Sequence, residues 1–444
     1  MDRPLPTRAH LARRTRSLAV GAAAATVLAA CSGGIGGGGG GDDDGSGGVV
    51  TIGYVSPQTG ALSAFGEADT FVLDQMEEYY AENGITVGGE QLDVEIVVRD
   101  TQSDADRAAD VTAELILEEE ADVILVSSTP ETVNPASDQC EANGVVCIST
   151  VAPWQAYYFG RGATEDQPFE WTYHFFWGTE QLQEVYQDIW TQAAPDATTV
   201  AELFPNDSDG NAWADPDTGF APFIEAGGYE EIAPGTYPNG TTDFSAQISQ
   251  YRDADAEILV GVPIPPDFTT FWNQAIQQGY RPTVATIAKA VLFPSAVEAL
   301  GDNAENISTE VWWSPSHPFS SSLTGQSAAE LADAYEESTG SQWTQPLGFV
   351  HALFEVATAA LEAADSLDDP ANLRDALAEL SVDTIAGPVD WTSGPVPNVA
   401  LTPLVGGQWR SNDSGGYDLV IVSNSIAPDI PTAGEPEPIE WDES

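Results

Sequence analysis

Short apolar segments alternate with longer amphipathic segments along most of this 444-residue chain. The segments "VVTIGYV", "LDVEIVVR", "DVILV" and "VVCIS" are typical of buried strands, and stretches of helical periodicity separate them. Parallel strands need such crossover connections, and a sheet covered by helices on both faces has continuously apolar strands. The alternation begins again at "TTVAELF" and continues through "EILVGV" and "TVATI". We therefore predict an α/β protein of two doubly wound parallel-sheet lobes.

The N-terminal segment has a different composition. Five arginines lie among the first 16 residues, and residues 18–30 are uncharged and apolar. This apolar run is shorter than the about 20 residues of a membrane-spanning helix, but it is typical of the core of a secretion signal. The motif "LAAC" at residues 28–31 resembles a lipobox. We expect residues 1–30 to be a lipoprotein signal peptide and Cys31 to be lipidated; the alternative is a soluble secreted protein. Sec and twin-arginine export both remain open.

Residues 31–48 are predicted to form a flexible tether between the lipidated cysteine and the folded part of the chain. Eleven of the residues from 32 to 48 are glycine, a composition that cannot bury apolar surface and behaves as a flexible coil. Such a segment would hold the folded domains away from the membrane surface. The membrane contact that we expect is therefore through the lipid anchor only.

The chain is strongly acidic, with 70 acidic and 13 basic residues and a formal net charge of −57. Removal of residues 1–30 would take away five of the basic residues and only one acidic residue. This balance argues against nucleic acid and anionic membrane surfaces as partners. We expect an acidic surface of the halophilic type, on which salt screens self-repulsion, so the melting temperature should rise between low and molar salt.

Four segments carry a family resemblance: "IGYVSPQTGALSAFG" at residues 52–66, "VVRDTQSDADRAADVTAELI", "ILVSSTPETVNPASDQCEANGVVCIS" and "GVPIPPDFTTFWNQAIQQGY". They resemble the type I periplasmic binding proteins, the receptors that feed branched-chain amino-acid-type ABC importers. The resemblance extends from Val49 to about Val422, and it implies two lobes joined by a three-crossing hinge that close over a small solute. The predicted boundaries are 49–160 and 285–390 for lobe 1, 161–284 and 391–430 for lobe 2, and 431–444 for an acidic, frayed tail.

The resemblance also implies which loops of lobe 1 contact the solute. The implied residues are Ser63, Phe65, Ser127, Ser128, Thr129, Ser149 and, at the end of the turn after Ser149, Trp154. For the middle loop the residues themselves agree: Ser128 or Thr129 can cap a helix that Pro130 begins, and the free N–H groups there attract an anion. The alternative is that these hydroxyls serve only as helix caps.

In lobe 2 the sequence departs from the pattern of the better-known amino-acid receptors. Asp209 and Gly210 stand where those receptors often have a tyrosine-glycine pair, and Lys289 aligns near an acidic residue that holds the ligand ammonium. Lys289 is the one lysine of the chain. An ammonium facing a helix N-terminus would favour a carboxylate and reject a cationic amine. The alternative is a surface lysine paired with one of the many acids.

Residues 154–177 contain ten aromatic residues. Most of these rings are expected to pack the first crossing between the lobes, with His174 as a core residue. Trp154 and Trp177 are also predicted to flank the cleft and stack on the ligand. Cys140 and Cys147 form either a disulfide or two buried free thiols.

The sequence contains no GxSxG, HExxH or P-loop motif and no CxxC pair, so we predict neither an enzyme nor a cofactor or metal. The predicted function is that of a monomeric, lipid-anchored receptor on the outer face of the cytoplasmic membrane. It would capture a small organic anion, a carboxylate with an apolar or aromatic body, and deliver it to ABC permease subunits. The alternatives are amino-acid or amide binding in the same fold, or a ligand sensor for a membrane signalling receptor.

Overall fold

A computed structural model of the chain describes residues 48–441. The predicted signal peptide, Cys31 and all of the tether except Gly48 lie outside the described residues. Within the described part, none of the helices is long and apolar enough to cross a membrane.

The strands and helices of the described part follow one another in the predicted alternating order. The strands are β1 (Val49–Ser56), β2 (Ile85–Val87), β3 (Glu90–Asp100), β4 (Val123–Ser127), β5 (Val146–Thr150), β6 (Thr172–Phe175), β7 (Thr199–Leu203), β8 (Glu230–Ile232), β9 (Ile258–Gly261), β10 (Val284–Ile287), β11 (Ser308–Val311), β12 (Ser381–Thr384), β13 (Gly387–Asp390), β14 (Val399–Ala400), β15 (Val405–Ser411) and β16 (Tyr417–Ser423). The α-helices are α1 (Asp69–Asn83), α2 (Ala105–Leu117), α3 (Pro130–Asn143), α4 (Trp154–Tyr158), α5 (Thr179–Ala193), α6 (Ser208–Trp213), α7 (Phe220–Gly227), α8 (Ser245–Asp253), α9 (Pro265–Gln278), α10 (Pro294–Glu298), α11 (Ala328–Thr339), α12 (Pro346–Ala363) and α13 (Pro370–Ala378). Short 3₁₀ helices occupy Ser63–Gly66, Gly301–Ala304 and Trp391–Ser393.

The strands form two seven-stranded sheets and one small hairpin. The first sheet has the order β14-β6-β5-β4-β1-β3-β2, and the second has the order β16-β15-β11-β10-β9-β7-β8. Pairing is parallel through the centre of both sheets, whereas β2, β15 and β16 add antiparallel edges. The hairpin is β12 with β13. The predicted fold class, two doubly wound α/β lobes, is confirmed; we call the first sheet with its helices lobe 1 and the second lobe 2.

Apolar strands explain why helices cover both faces of each sheet. Every residue of β4, β5, β9 and β10 is buried, as expected for central strands of a parallel sheet. In lobe 1 the nearly fully buried helix α12 packs on β2, β4 and β5. In lobe 2 helix α5 packs on β10, β11, β15 and β16.

The chain crosses between the lobes after β6, after β11 and after β14. All three crossings come later than the predicted boundaries at residues 160, 285 and 390, so those boundaries are corrected. The first crossing comes later than predicted because the aromatic stretch is not only a connection between the lobes; it contains β6, a strand of lobe 1. The second crossing comes later than predicted because β10 and β11 both belong to lobe 2. The sequence of β11, "STEV", lacks the apolar run by which a buried strand is recognised.

The acidic tail packs on lobe 2, so the expectation that it frays is corrected for the residues up to 441. Ile439 N–H donates to the carbonyl of Thr283 at 2.8 Å, and Trp441 Nε1 donates to the carbonyl of Pro282 at 2.9 Å. The Trp441 ring also lies 5.7 Å from that of Trp272. Two apolar side chains in an otherwise acidic segment thus fix it to the lobe.

Cys140, near the end of α3, and Cys147, in β5, are both buried free thiols. Of the two states left open by the sequence, the structure therefore contains the thiols and not the disulfide. Burial raises the pKa of the Cys140 thiol well above its usual value, which keeps the group protonated and unreactive.

Candidate functional site

A cavity lies between the lobes at the carboxyl ends of their strands. Many of its lining residues directly follow a strand: Val151 follows β5, Phe176 follows β6, Val262 follows β9, Ala288 follows β10 and Trp312 follows β11. Ligands of doubly wound sheets bind at this edge. The cavity volume is about 30 Å³, which is enough for one or two water molecules. A larger solute therefore requires the lobes to separate or the lining side chains to move.

Most of the cavity wall is apolar. The lining consists of Phe65, Thr129, Val151, Pro153, Phe176, Trp177, Asp209, Trp213, Val262, Ala288, Lys289, Leu292, Glu310 and Trp312. Aromatic rings of the wall pack edge-on against one another and against Phe349 behind it: the ring centroid of Trp312 lies 5.2 Å from that of Phe176 and 5.0 Å from that of Phe349. Such a wall suits a ligand with a flat or branched apolar body.

Three indole N–H groups of the lining have no hydrogen-bond partner. Trp177, Trp213 and Trp312 are at most 3% exposed, and the Nε1 atom of each is buried and unpaired. Most other buried indoles of the described residues donate to an oxygen, as Trp190 does to Thr286 Oγ1 at 3.1 Å. Among the described residues one further indole, that of Trp391, is buried and unpaired, and it does not line the cavity. Unpaired buried donors are costly, so their concentration here indicates a ligand that supplies acceptors.

The hydroxyl of Thr129 is a fourth unpaired polar group of the lining. Thr129 occupies the N-cap position of α3 and Pro130 the first helical position, yet the threonine side chain makes no cap hydrogen bond. Its Oγ1 is buried without a partner. The alternative that this hydroxyl serves only as a helix cap is therefore wrong for Thr129. The start of α3 faces the cavity with a free hydroxyl and the positive end of a helix dipole.

Lys289 lines the cavity, but its ammonium is not free. Nζ lies 2.9 Å from Asp209 Oδ2, 3.0 Å from Glu131 Oε1 and 3.5 Å from Asp207 Oδ2. Burial lowers the pKa of Lys289, but these three carboxylates outweigh it and raise the pKa well above its usual value. The prediction of an unpaired ammonium is therefore corrected. Three carboxylates neutralise the ammonium, because the loop of Asp207 and Asp209 and the first turn of α3 both contact it.

Local structure explains why Asp209 reaches Lys289. Asp207 caps α6, its Oδ1 accepting the N–H of Gly210 at 2.9 Å. Gly210 itself lies against the backbone of Pro205, where a Cβ would come within 1.9 Å of the carbonyl oxygen. The glycine therefore permits the tight turn that carries Asp209 into the wall.

Two carboxyl groups of the wall have raised pKa values. Burial raises the pKa of Asp209 to about 7, against the opposing effect of Lys289. Burial likewise raises the pKa of Glu310 to about 7, although its carboxylate accepts hydrogen bonds from Tyr186 Oη at 2.7 Å and Thr309 Oγ1 at 2.9 Å. Both groups can therefore take up a proton near neutral pH.

The structure brings five of the ten predicted contact residues together in the cavity wall: Phe65, Thr129, Trp177, Asp209 and Lys289. The other five lie elsewhere. Ser63 borders a separate surface depression, and Ser127 and Ser128 are buried beside the cavity without lining it. Ser149 Oγ hydrogen-bonds to His174 Nδ1 at 2.9 Å, and Trp154 Nε1 donates to Glu180 Oε1 at 3.0 Å.

Several lining residues were not predicted from the sequence, chiefly Trp213, Val262, Glu310 and Trp312. For Val262 a signal existed, since it is the last residue of the recognisable segment "EILVGV" and directly follows β9. Trp312 follows a strand that the apolar pattern does not reveal, and Trp213 reaches the wall from α6.

Comparison with known proteins agrees with this fold. The sequence model of the family described as "Periplasmic binding protein" matches residues 49–413. A leucine-binding protein from Thermotoga maritima is 19% identical with a TM-score of 0.66, over 85% of this chain and 99% of that one.

Two further solved structures have the same fold. A solute-binding protein of an ABC transporter from Rhodopseudomonas palustris, in complex with 3,4-dihydroxybenzoic acid, is 18% identical with a TM-score of 0.66, over 86% of this chain and 99% of that one. A type 1 periplasmic binding protein from Bordetella pertussis is 14% identical with a TM-score of 0.69, over 84% of this chain and all of the other. The family match covers most of the sequence, and the chain therefore belongs to the periplasmic binding protein family of solute receptors, with the type I fold.

Proposed function

We propose that this protein is the solute receptor of an ABC importer and that its solute is a small organic acid with an apolar or aromatic body. The observation that carries the proposal is a set of unpaired groups that can donate hydrogen bonds into a largely apolar cavity: three indole N–H groups and the hydroxyl of Thr129. A carboxylate would supply acceptor oxygens to these groups, and a hydrogen bond to a charged group contributes about 1.5–3 kcal/mol. The apolar and aromatic wall would pack against the remainder of the solute.

In this proposal the carboxylate is held by neutral donors and not by Lys289. Three carboxylates already surround the ammonium, so it has little charge to offer a further anion. The acidic groups of the wall need not exclude an anion, because the pKa values of Asp209 and Glu310 near 7 allow each to bind a proton. The aromatic acid bound by the Rhodopseudomonas palustris relative is consistent with a solute of this class.

A second candidate, an amino acid, is favoured by one specific observation. Asp209 Oδ1 is buried without a partner, so the wall also offers an acceptor that a ligand ammonium would satisfy. One solved relative of the same fold is a leucine-binding protein. Against this candidate, Asp209 Oδ2 already pairs with the Lys289 ammonium at 2.9 Å, so the single oxygen Oδ1 is left for a ligand ammonium.

The location and partners that we propose follow from the N-terminal sequence and the family. Cys31 would anchor a monomer to the outer face of the cytoplasmic membrane, and the glycine-rich tether would let the two lobes reach the permease subunits. An anchored receptor of this kind suits delivery to a transporter better than the alternative, a sensor domain within a signalling receptor.

Calorimetric melting in high salt tests the solute class. The probes are 3,4-dihydroxybenzoate, leucine and leucinamide, each at a series of concentrations. We expect the aromatic acid to raise the melting temperature with concentration, since a ligand at 100 times its Kd stabilises the folded state by about 2.7 kcal/mol. Stabilisation by leucine and not by the acid would establish the amino-acid candidate instead, and conversion of a probe to a new product would exclude a pure receptor.

A further inference from the structure

The backbone at Lys289 adopts an uncommon conformation. Its φ angle is +60°, and the N–H of Ala290 donates to the carbonyl of Ala288 at 2.5 Å, so Lys289 is the central residue of a three-residue turn of the strained kind. A residue with a side chain persists in such a conformation only where its surroundings require it. The side chain of Lys289 is 4% exposed, so this turn directs an ammonium into the protein interior.

The carboxylates that receive this ammonium come from different lobes. Asp207 and Asp209 belong to lobe 2, as Lys289 does, whereas Glu131 lies in the first turn of α3 in lobe 1. The Nζ–Oε1 distance between Lys289 and Glu131 is 3.0 Å. Among the ion pairs between described residues, this is the one that joins the two lobes.

Burial makes this pair different from an ordinary surface ion pair. Glu131 has a side-chain exposure of 22%, and the Lys289 side chain is almost wholly enclosed. Salt screens such a pair less than an exposed pair. The pair also requires a short distance between Nζ and Oε1, whereas the apolar contacts across the cleft do not depend on one atom pair. One such apolar contact is the edge-to-face packing of Phe65 in lobe 1 against Phe293 in lobe 2, with centroids 4.9 Å apart.

We propose that Lys289 and Glu131 form an inter-lobe ion pair that stabilises the closed arrangement of the lobes without a solute. When the lobes separate, Lys289 keeps Asp207 and Asp209, and Glu131 alone is released to water. The pair therefore biases the equilibrium between closed and open forms, and it leaves the internal structure of each lobe unchanged. This inference concerns the protein without solute, so it stands or falls independently of the proposed solute class.

The experiment measures the distance between the lobes by double electron–electron resonance. Spin labels are placed on cysteines introduced at two exposed helical positions, Asp110 of α2 in lobe 1 and Gln250 of α8 in lobe 2. The native Cys140 and Cys147 are buried and do not compete for the label. The protein is refolded from denaturant beforehand, so that no carried solute closes the lobes.

We expect Glu131→Gln to lower the ratio of closed to open protein about tenfold, less than for a fully buried pair, because Glu131 is partly exposed and the ammonium keeps its other two carboxylates. Glu131→Asp, which keeps the charge but shortens the reach, should give a smaller shift in the same direction. Asp207→Asn is the matched control: it removes a carboxylate from the same ammonium but within lobe 2, and asparagine can still cap α6. Its distance distribution should equal that of the parent protein.

Equal distance distributions for the parent protein, Glu131→Gln and Glu131→Asp would overturn the proposal. So would an equal shift caused by Asp207→Asn, since this would mean that Lys289 acts on lobe 2 and not across the cleft. Molar salt should leave the difference between the parent protein and Glu131→Gln largely intact; its disappearance would likewise contradict a buried pair.

Discussion

The two sides of the cavity satisfy their polar groups in opposite ways. On the aromatic side, Trp177, Trp213 and Trp312 each have an indole N–H with no partner. On the charged side, Lys289 has three carboxylates within 3.5 Å. The difference separates donors that have no partner within the protein from an ammonium that already has three. Substitutions on the aromatic side should therefore change affinity, and substitutions on the charged side should change stability.

The largest effect should come from removing the cation of the charged side. Lys289→Met would leave Asp207, Asp209 and Glu131 close together without a compensating charge. Removing one partner of a buried ion pair typically costs 3–5 kcal/mol, so the free energy of unfolding at pH 8 should fall by about that amount. Chemical denaturation of the variant and the parent protein measures the change.

A second substitution shows whether the loss has this electrostatic cause. In the double variant Lys289→Met/Asp209→Asn one of the stranded carboxylates is neutral, so much of the lost stability should return. Lowering the pH to 5 should have a similar effect on the single variant, because Asp209 has a pKa of about 7 and takes up a proton. A loss that neither change reduces would mean that Lys289 contributes packing and not charge.

The aromatic side can be tested with an isosteric change at Trp312. Benzothienylalanine keeps the bicyclic ring but replaces the N–H group by sulfur, so it removes the donor and not the packing on Phe176 and Phe349. We expect the affinity for an organic acid to fall at least tenfold, which corresponds to a lost hydrogen bond of about 1.4 kcal/mol or more. Titration calorimetry measures the affinity.

Without solute, the same change at Trp312 should leave stability equal or slightly greater, since an unpaired buried donor disappears. The stability of the variant without solute shows whether the indole N–H of Trp312 hydrogen-bonds to a solute or stabilises the fold. A loss of stability with unchanged affinity would place Trp312 among the ordinary structural indoles.

Features of this site that depend on residues near one another in the chain could be predicted from the sequence, and contacts between distant residues could not. The alternation of strands and helices predicts two parallel sheets, and the rule that ligands bind at the carboxyl ends of strands places Thr129 and Lys289 near the cleft. The partner of Lys289 could not be predicted, because Glu131 is 158 residues away and meets it only when the lobes come together. Trp312 was missed because β11 has no apolar run, and the unpaired state of any indole depends on packing from the whole fold.

The charged side should also make stability depend on pH. Burial raises the pKa values of Asp209 and Glu310 to about 7 from ordinary values of 3.8 and 4.5. The folded state thus holds more protons than the unfolded state between about pH 4 and 7. The stability from these two groups is complete below about pH 4 and is lost as the pH rises through 7, so the two carboxyl groups stabilise the folded state more at pH 5 than at pH 8. The buried residues His174, His317 and His351 act in the opposite direction below about pH 6.5, because burial lowers their pKa values to about 3 or 4.

A matched variant identifies the part of this dependence that belongs to the cavity. Asp69 and Glu355, buried elsewhere in lobe 1, also have pKa values near 7 and contribute in the same direction. In Asp209→Asn one of these groups no longer titrates, so the melting temperature at pH 5 minus that at pH 8 should be smaller than in the parent protein. An unchanged slope would mean that Asp209 stays ionised in the folded protein.

The smallest effect on affinity is expected at Trp154, which provides the strictest control for Trp312. Its Nε1 already donates to Glu180 Oε1 at 3.0 Å, and its ring packs against Tyr158 and Phe159 outside the cavity. The same replacement by benzothienylalanine should therefore cost about 1 kcal/mol of stability and change the affinity less than about twofold. One chemical change would then affect stability at an indole that has a partner and affinity at an indole that lacks one. If Trp154 and Trp312 instead respond alike in both measurements, the missing partner has no connection with the solute, and the distinction between the two sides of the cavity fails.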